Sequence, residues 1–341
     1  MEGSGEGMIV SRKEIVRALE CCVPGLSTRE TVDQSNCFCF RGKTVFTYND
    51  EILCQQDFPV EINGAVPAKT LLDLLHKLPE DDVDITTTDT KLRIKGQGKR
   101  RSEMNLIPDV VLPIGDVESP ASWTEVPPAY SDALGMVADA TDDDESSLLA
   151  YVHITPSMME ACDMHQAIRY EVATGLSSNV MVRGHSCKAV KGMGIAQTAE
   201  TDNWVHWKTY TGLRVSVRKD TRDYPDLGDI FAAESMGEAY IPGSVSEILE
   251  RAAPFMSKQG KGKIGIVDLA PGKIRVRAIN QDGWYEEIKE LEYDGPVTRF
   301  GVSPKHIQGA LKYGLPCEIT PVSLRIRGDA FVYALSVEEV G

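Results

Sequence analysis

Residues able to do chemistry are scattered along this chain. Asp163-Met164-His165 sets a carboxylate two residues from an imidazole, a pair that acid–base work or a metal could use. No nucleophile or further ligand stands near it in pattern, so it reads as a turn or binding histidine and not as a catalytic centre. Asp142-Asp143-Asp144-Glu145 is a run of consecutive carboxylates. Neighbouring side chains point in different directions, and the run reads as a solvated loop. The eight cysteines, at 21, 22, 37, 39, 54, 162, 187 and 317, include no C-x-x-C pair. They read as small buried thiols in a reducing compartment, not as zinc ligands or a disulfide framework. No glycine-rich phosphate loop is present either. The expectation is no metal, no cofactor and no enzyme.

Positive charge is the pattern that recurs. Arg12, Lys13, Arg17, Lys69, His76, Lys77, Arg183, His185, Lys188, Lys191, Arg251, Lys258, Lys305, His306 and Lys312 fall on helical stretches or at their ends. Acidic residues gather instead in Asp81-Asp82, Asp142 to Glu145, Glu286-Glu287 and Glu338-Glu339. One such lysine is simply a solvated face. The recurrence describes a body that is acidic outside and basic on one surface. A protein of net charge −15 could hold phosphates in that way.

The elements that would position these residues repeat. Val66-Pro67-Ala68-Lys69 opens an apolar helical stretch through Leu78-Pro79, followed by Val83-Asp84-Ile85-Thr86 and Leu92-Arg93-Ile94-Lys95-Gly96. The same order returns as Val302-Ser303-Pro304-Lys305 with Ile307, Ala310 and Leu311, then Cys317-Glu318-Ile319-Thr320 and Leu324-Arg325-Ile326-Arg327-Gly328. A weaker middle copy ends in Leu213-Arg214-Val215-Ser216-Val217, and Leu92, Leu213 and Leu324 stand about a third of the chain apart. Length alone favours two domains; the repeat predicts three α+β units. Hydrophobic content of 42% and charged content of 26% let each unit bury a core.

Each unit should carry two helices and several strands. Ser11 with Glu14, and Ser244 with Glu247, have capping-box spacing. Ile15, Val16, Ala18 and Leu19 give the first helix its apolar face, and Pro24-Gly25 stops it. Strands are expected at 37–40, 44–48, 52–58, 148–154 and 167–172, and a basic helix over 183–195 weakened by Gly192 and Gly194. In the last unit strands are expected at 263–268, 273–279, 285–293 and 299–302, with a helix over 304–313. Prolines between 108 and 128 mark one linker, and Asp223 to Gly228 mark another. The predicted divisions are residues 8–118, 119–232 and 233–341. Met1 to Gly7 reads as a flexible acidic, glycine-rich leader without signal-peptide character. No apolar run approaches the roughly 18 residues of a membrane span.

In order and spacing these segments resemble the bacterial β sliding clamp, the processivity subunit of replicative DNA polymerase. Met8-Ile9-Val10-Ser11-Arg12-Lys13-Glu14 sits where clamps begin. Val66 to Asp73 with Leu78-Pro79-Glu80 is similar to the family's VPA(R/K)xxxDxxxxLPEG segment, and Ser102-Glu103-Met104-Asn105-Leu106 with Pro108 matches the end of that domain. Ala161-Cys162-Asp163-Met164-His165-Gln166-Ala167 stands for ATDGHRL, and Asp223-Tyr224-Pro225-Asp226 for RFPDY. Ile248 to Ala253 and Gly301 to Lys312 follow the pattern as well. The chain departs from it in Met164 for the family glycine, in a tail ending Phe331-Val332-Tyr333-Ala334-Leu335 without Pro-Met-Arg-Leu, and in a diverged middle unit. A divergent, phage-encoded lineage would account for this.

The resemblance implies a head-to-tail homodimeric ring of three-domain subunits around duplex DNA. It works in the cytoplasm and tethers a polymerase, without catalysis or cofactor. It gives the DNA-facing role to Arg12, Lys13, Arg17, Arg29, Lys69, Lys77, Lys99, Arg100, Arg101, Arg183, Lys188, Lys191, Lys258, Lys305 and Lys312. A pocket for short peptides of the polymerase and clamp loader falls on Cys162, His165, Ala167, Pro225, Ile230, Tyr333 and Leu335. The subunit contact falls on Leu74 and Met104 of one protomer and Pro254 and Phe255 of its partner. Two rival readings remain: a clamp-derived protein that binds replication factors without encircling DNA, and an enzyme with an unrecognised site at Asp163–His165.

Overall fold

The computed structural model describes residues 7–30, 32–256, 258–259 and 262–338, with backbone alone at 258, 259 and 262. It is an α+β protein of antiparallel sheets with few helices: α1 (Arg12–Cys21), α2 (Ala68–Lys77), α3 (Tyr130–Ala138), α4 (Gly184–Ala189), α5 (Gly228–Ala232), α6 (Ser244–Ala252) and α7 (Pro304–Leu311). The chain divides into two compact units, one running to Gly135 with Ala173–Arg222, the other Met136–Val172 with the chain from Asp223 onward. The predicted leader residues before Gly7 lie outside the described residues.

In the first unit α1 buries Ile15, Ala18 and Leu19, an i, i+3, i+4 stripe, and packs on α2, which buries Ala68, Leu71 and Leu75. Beside them runs a long hairpin, Cys37–Tyr48 against Ile52–Pro67. The two strands expected at 37–40 and 44–48 are one strand with a bulge after Gly42. Gly42 has a φ of 61°, which glycine adopts without the Cβ penalty. A four-stranded antiparallel sheet orders Met8–Ser11, Asp82–Thr88, Lys91–Lys95 and Arg101–Asn105, with Met8–Ser11 and Arg101–Asn105 as its edge strands. The hairpin's Ile52–Gln55 pairs antiparallel with Arg214–Val217, so segments of the first and second repeats share hydrogen bonds. Trp204 joins Phe46, Tyr48 and Leu53 in one core, and Trp207 Nε1 donates to Tyr130 Oη at 2.9 Å.

The second unit has the same kind of join. Gln166–Tyr170 pairs antiparallel with Phe331–Leu335. Its other sheet orders Gly283–Glu290, Lys273–Asn280, Gly265–Ala270 and Thr298–Val302, leaving Gly283–Glu290 as an open edge. α6 buries Val245, Ile248, Leu249 and Ala252 and packs on α7, which buries Ile307, Ala310 and Leu311.

Three local expectations fail for identifiable reasons. The helix expected over 183–195 ends at Ala189, because Gly192 and Gly194 take φ values of 77° and 67° and the chain re-enters a strand at Ile195. Residues 148–150 form a 3₁₀ turn and not strand. Neither capping box forms: Ser11 caps α1 without a side-chain bond, and α6 starts after Gly243, so Ser244 Oγ accepts from Lys289 Nζ instead. A side-chain cap does form at Ser303, whose Oγ accepts from the His306 amide at 3.2 Å.

Candidate functional site

The predicted basic residues separate into free and spent groups. Arg12 donates to the carbonyls of Glu80 (2.6 Å) and Leu75 (3.1 Å), tying α1 to the end of α2. Lys13 pairs with Asp81 at 3.1 Å, Arg183 with Glu51 at 3.2 Å and Lys312 with Asp139 at 4.0 Å. Arg100 pairs with the buried Glu80. Arg17, Arg29, Lys69, Lys77, Lys99, Arg101, Lys188 and Lys305 make no ion pair among the described residues, while Lys191 is engaged. The side chain of Lys258 lies outside the described residues. The free cations therefore belong to α1, α2, α4 and α7 and to two loops. α3 exposes Asp132 and α6 exposes Glu247 and Glu250, with Arg251 held by Glu287 at 3.0 Å. Of the helices on which basic residues are expected, α1, α2, α4 and α7 carry a cation without an ion pair among the described residues, and α6 does not.

The pocket residues also divide, along the pleat of a sheet. Residues directly opposite on paired strands share a face. Cys162, Ala167 and Ala334 lie opposite one another and form one apolar cluster with Leu227 and Phe231, bordered by the partly exposed Leu149, Tyr224 and Val332. α5 brings Phe231 beneath this surface and leaves Ile230 39% exposed beside it; Pro225 is also exposed. Tyr333 and Leu335 sit on the opposite face, a correction to their expected place in the pocket. Tyr333 Oη donates to Gln166 Oε1 at 2.7 Å, and Leu335 is 0% exposed.

Polar groups tighten the cluster. The Cys162 amide donates to Tyr224 Oη at 3.1 Å, and His153 stacks on Tyr224 with ring centres 5.1 Å apart. Glu160 accepts from Arg169 and bonds His153 Nδ1 at 2.9 Å. Arg169 in turn lies over the Phe231 ring at 4.8 Å. Burial pushes the Glu160 carboxyl up, yet His153 and Arg169 outweigh it and hold it below the usual range. Tyr224 stands in the segment that resembles RFPDY without being assigned to the pocket, and Phe231, His153, Arg169 and Glu160 are not singled out from sequence; the alternation of strands 158–162 and 166–171 is the signal that could have placed the last two.

His165 lies at the turn next to this cluster and stacks on His306, ring centres 4.4 Å apart. Burial, then the neighbouring His165, push the His306 imidazole below its ordinary value. Asp163 is spent on its own turn: Oδ1 accepts from the His165 and Gln166 amides and Oδ2 from Gln166 Nε2. A cavity of about 1020 Å³ opens beside the stack, lined by Asp142, Asp143, Asp144, Met164, Lys305 and Glu338 among others. Within the acidic run Asp142 and Asp144 accept from amides two residues on, as loop carboxylates do.

Of the expected subunit-contact residues, Leu74 and Met104 are half-buried in the first unit. In the second unit Pro254 is exposed, and the half-buried Phe255 stacks on Tyr285 with ring centres 6.4 Å apart. Trp284 on the open edge strand is 69% exposed and Ile288 is 54% exposed.

No protein-family model matches the chain, and no curated protein matches it by sequence. Solved structures do. The DNA polymerase III β subunit of Thermotoga maritima matches with a TM-score of 0.83 at 14% identity, over 98% of this chain and 100% of that one. A sliding clamp of Pseudomonas aeruginosa bound to griselimycin matches with a TM-score of 0.81 at 14% identity, over 98% and 100%. The Bacillus subtilis clamp matches with a TM-score of 0.80 at 15% identity, over 98% and 99%. At this identity the likeness is one of fold, and the fold of the chain is that of the DNA polymerase III β sliding clamp.

Proposed function

We propose that two copies of this chain close head to tail into a ring that encircles duplex DNA and tethers a polymerase to it. The observation that carries the reading is the state of the sheet edges. Strands of successive repeats pair at Ile52–Gln55 with Arg214–Val217 and at Gln166–Tyr170 with Phe331–Leu335. Three repeats joined twice leave a third join to be made, and Arg101–Asn105 and Gly283–Glu290 are terminal strands of their sheets that such a join can use. A third join of the same kind needs a second chain. A head-to-tail contact either closes or runs into a filament, and closure pairs both of these edge strands. Arg100, Glu286 and Glu287 at these strands are already held within the chain, by Glu80, by Arg275 and Arg277, and by Arg251, whereas Lys99 and Arg101 beside one strand and Glu290 on the other make no ion pair among the described residues.

In this reading the three domains are residues 8–118, 119–232 and 233–341. Arg17, Lys69, Lys77 and Lys188 face phosphates and not base edges, since sliding requires that no sequence be preferred. The surface around Ile230, Pro225 and Tyr224 takes short peptides of polymerase and clamp loader. No catalytic step is assigned to Asp163–His165. Sedimentation tests the assembly: the reading requires a mass twice the 37.4 kDa of one chain, and a monomer at micromolar concentration overturns it. The acidic exposed faces of α3 and α6 favour a second reading, a clamp-derived protein that binds replication factors without encircling DNA.

A further inference from the structure

The cavity beside the His165–His306 stack carries an excess of one sign. Among the described residues its lining holds five carboxylates, Asp142, Asp143, Asp144, Asp163 and Glu338, against two lysines, Lys263 and Lys305, a net of −3 with both histidines neutral. The lysines do not cancel the acids. Lys263 Nζ is directed to the Ala253 carbonyl at 3.0 Å, and Lys305 makes no ion pair among the described residues. Asp163 is consumed by its turn, whereas Asp143 and the Glu338 side chain have no partner among the described residues. The apolar part of the surface continues from this cavity. Met164, on the shared turn, is 72% exposed, and the next residues along the hairpin, Cys162 and Ala167, belong to the cluster bordered by Tyr224 and Val332.

We propose that this groove selects partner segments in which one or two large apolar side chains are flanked by lysine or arginine. The inference rests on the reading of this surface as a peptide-docking site and adds the chemistry of the peptide. An extended segment seats its apolar anchors against Met164, Tyr224 and Ile230. Long basic side chains then reach the carboxylates while their stems cover apolar surface. These carboxylates lie at a solvated rim, so each pair contributes little alone, and the selection is a sum of several pairs that salt weakens. Repulsion of acidic flanks contributes as much to the choice as attraction of basic ones.

The test uses the full-length protein and three synthetic peptides of equal length. One carries a Leu-Phe anchor between lysine pairs, one the same anchor between glutamate pairs, and one the lysine pairs around alanines. Fluorescence anisotropy at low salt should show the lysine-flanked anchor peptide binding roughly five- to ten-fold tighter than the glutamate-flanked one. That ratio should approach one at about 0.5 M salt, and also in the double variant Asp143→Asn, Glu338→Gln. Equal affinity for the two anchor peptides, or a ratio unchanged in the variant, overturns the charge selection. Binding of the alanine peptide as tightly as the anchor peptide overturns it too, because the groove is then a mere cation-attracting rim. Failure of all three peptides to bind overturns the docking reading itself.

Discussion

Ile230 and Leu335 show how much the face on which one residue sits decides. Both belong to the pocket by family likeness, yet Ile230 stands at the surface and Leu335 has no exposure. Ile230→Asp should abolish binding of an apolar-anchored peptide while leaving the unfolding midpoint nearly unchanged. Leu335→Asp should instead cost on the order of 3–5 kcal/mol, because it buries an unpaired charge; denaturant titration and peptide binding on the two variants check both expectations. A similar resolution was beyond the sequence at Arg12, a helix lysine-like cation by pattern, whose guanidinium is spent on two carbonyls. His206 belongs to this scale as well. Buried against Ser216 and Thr201, it is held at about 4, mainly by desolvation. The unfolded chain binds its proton near pH 6.5, and the folded chain does not until about pH 4, so stability is full above the upper value and falls through that window. Denaturant midpoints measured at pH 7 and pH 5 should differ, and the difference should shrink in His206→Gln.

The elements were legible where a periodic apolar stripe met a clear stop. α1, α2, α6 and α7 appear where the pattern put them, because Ile15–Leu19, Leu71–Leu75, Ile248–Leu249 and Ile307–Leu311 each supply one buried face. Caps were not legible, since spacing alone does not say where the first turn closes: Ser244 has the partner at the right distance, but the helix begins one residue early. Ser303→Ala removes the one predicted-helix cap bond that does form on a serine side chain to the His306 amide. It should lower stability by about 1 kcal/mol, read as a shift in the thermal midpoint. Trp284 lies on the edge strand that the proposed ring would pair with a second chain, and Phe255 stacks beside it on Tyr285. Phe255→Asp should convert the proposed dimer to monomer at micromolar concentration without loss of circular-dichroism signal, and a sedimentation profile unchanged from the parent would contradict the assignment of that edge.

At the scale of the whole molecule, the repeat carried the fold. Recurrence of the Val66–Gly96 pattern at Val302–Gly328 implied α+β units of one kind, and the observed likeness to β clamps covers 98% of the chain. What the repeat could not convey is which strands cross from one unit's sequence to another's, because hydrogen-bonded joins such as Ile52–Gln55 with Arg214–Val217 link residues far apart in sequence and carry no local signature. Nor could it convey charge balance on each helix. α3 and α6 turn acids outward, so direct affinity for DNA should be weak, and the grip should come from closure and not from contact. Each phosphate contact that does form should add about 0.9 to the log–log salt slope of binding. Reversing Lys69 and Lys188 to glutamate should therefore impair loading without unfolding either unit. The most direct measurement is retention after loading by a cognate loader on a nicked circular DNA, compared with the same DNA cut once. A closed ring predicts that the protein survives moderate salt on the circle and is lost from the linear form. Equal retention on both would contradict encirclement.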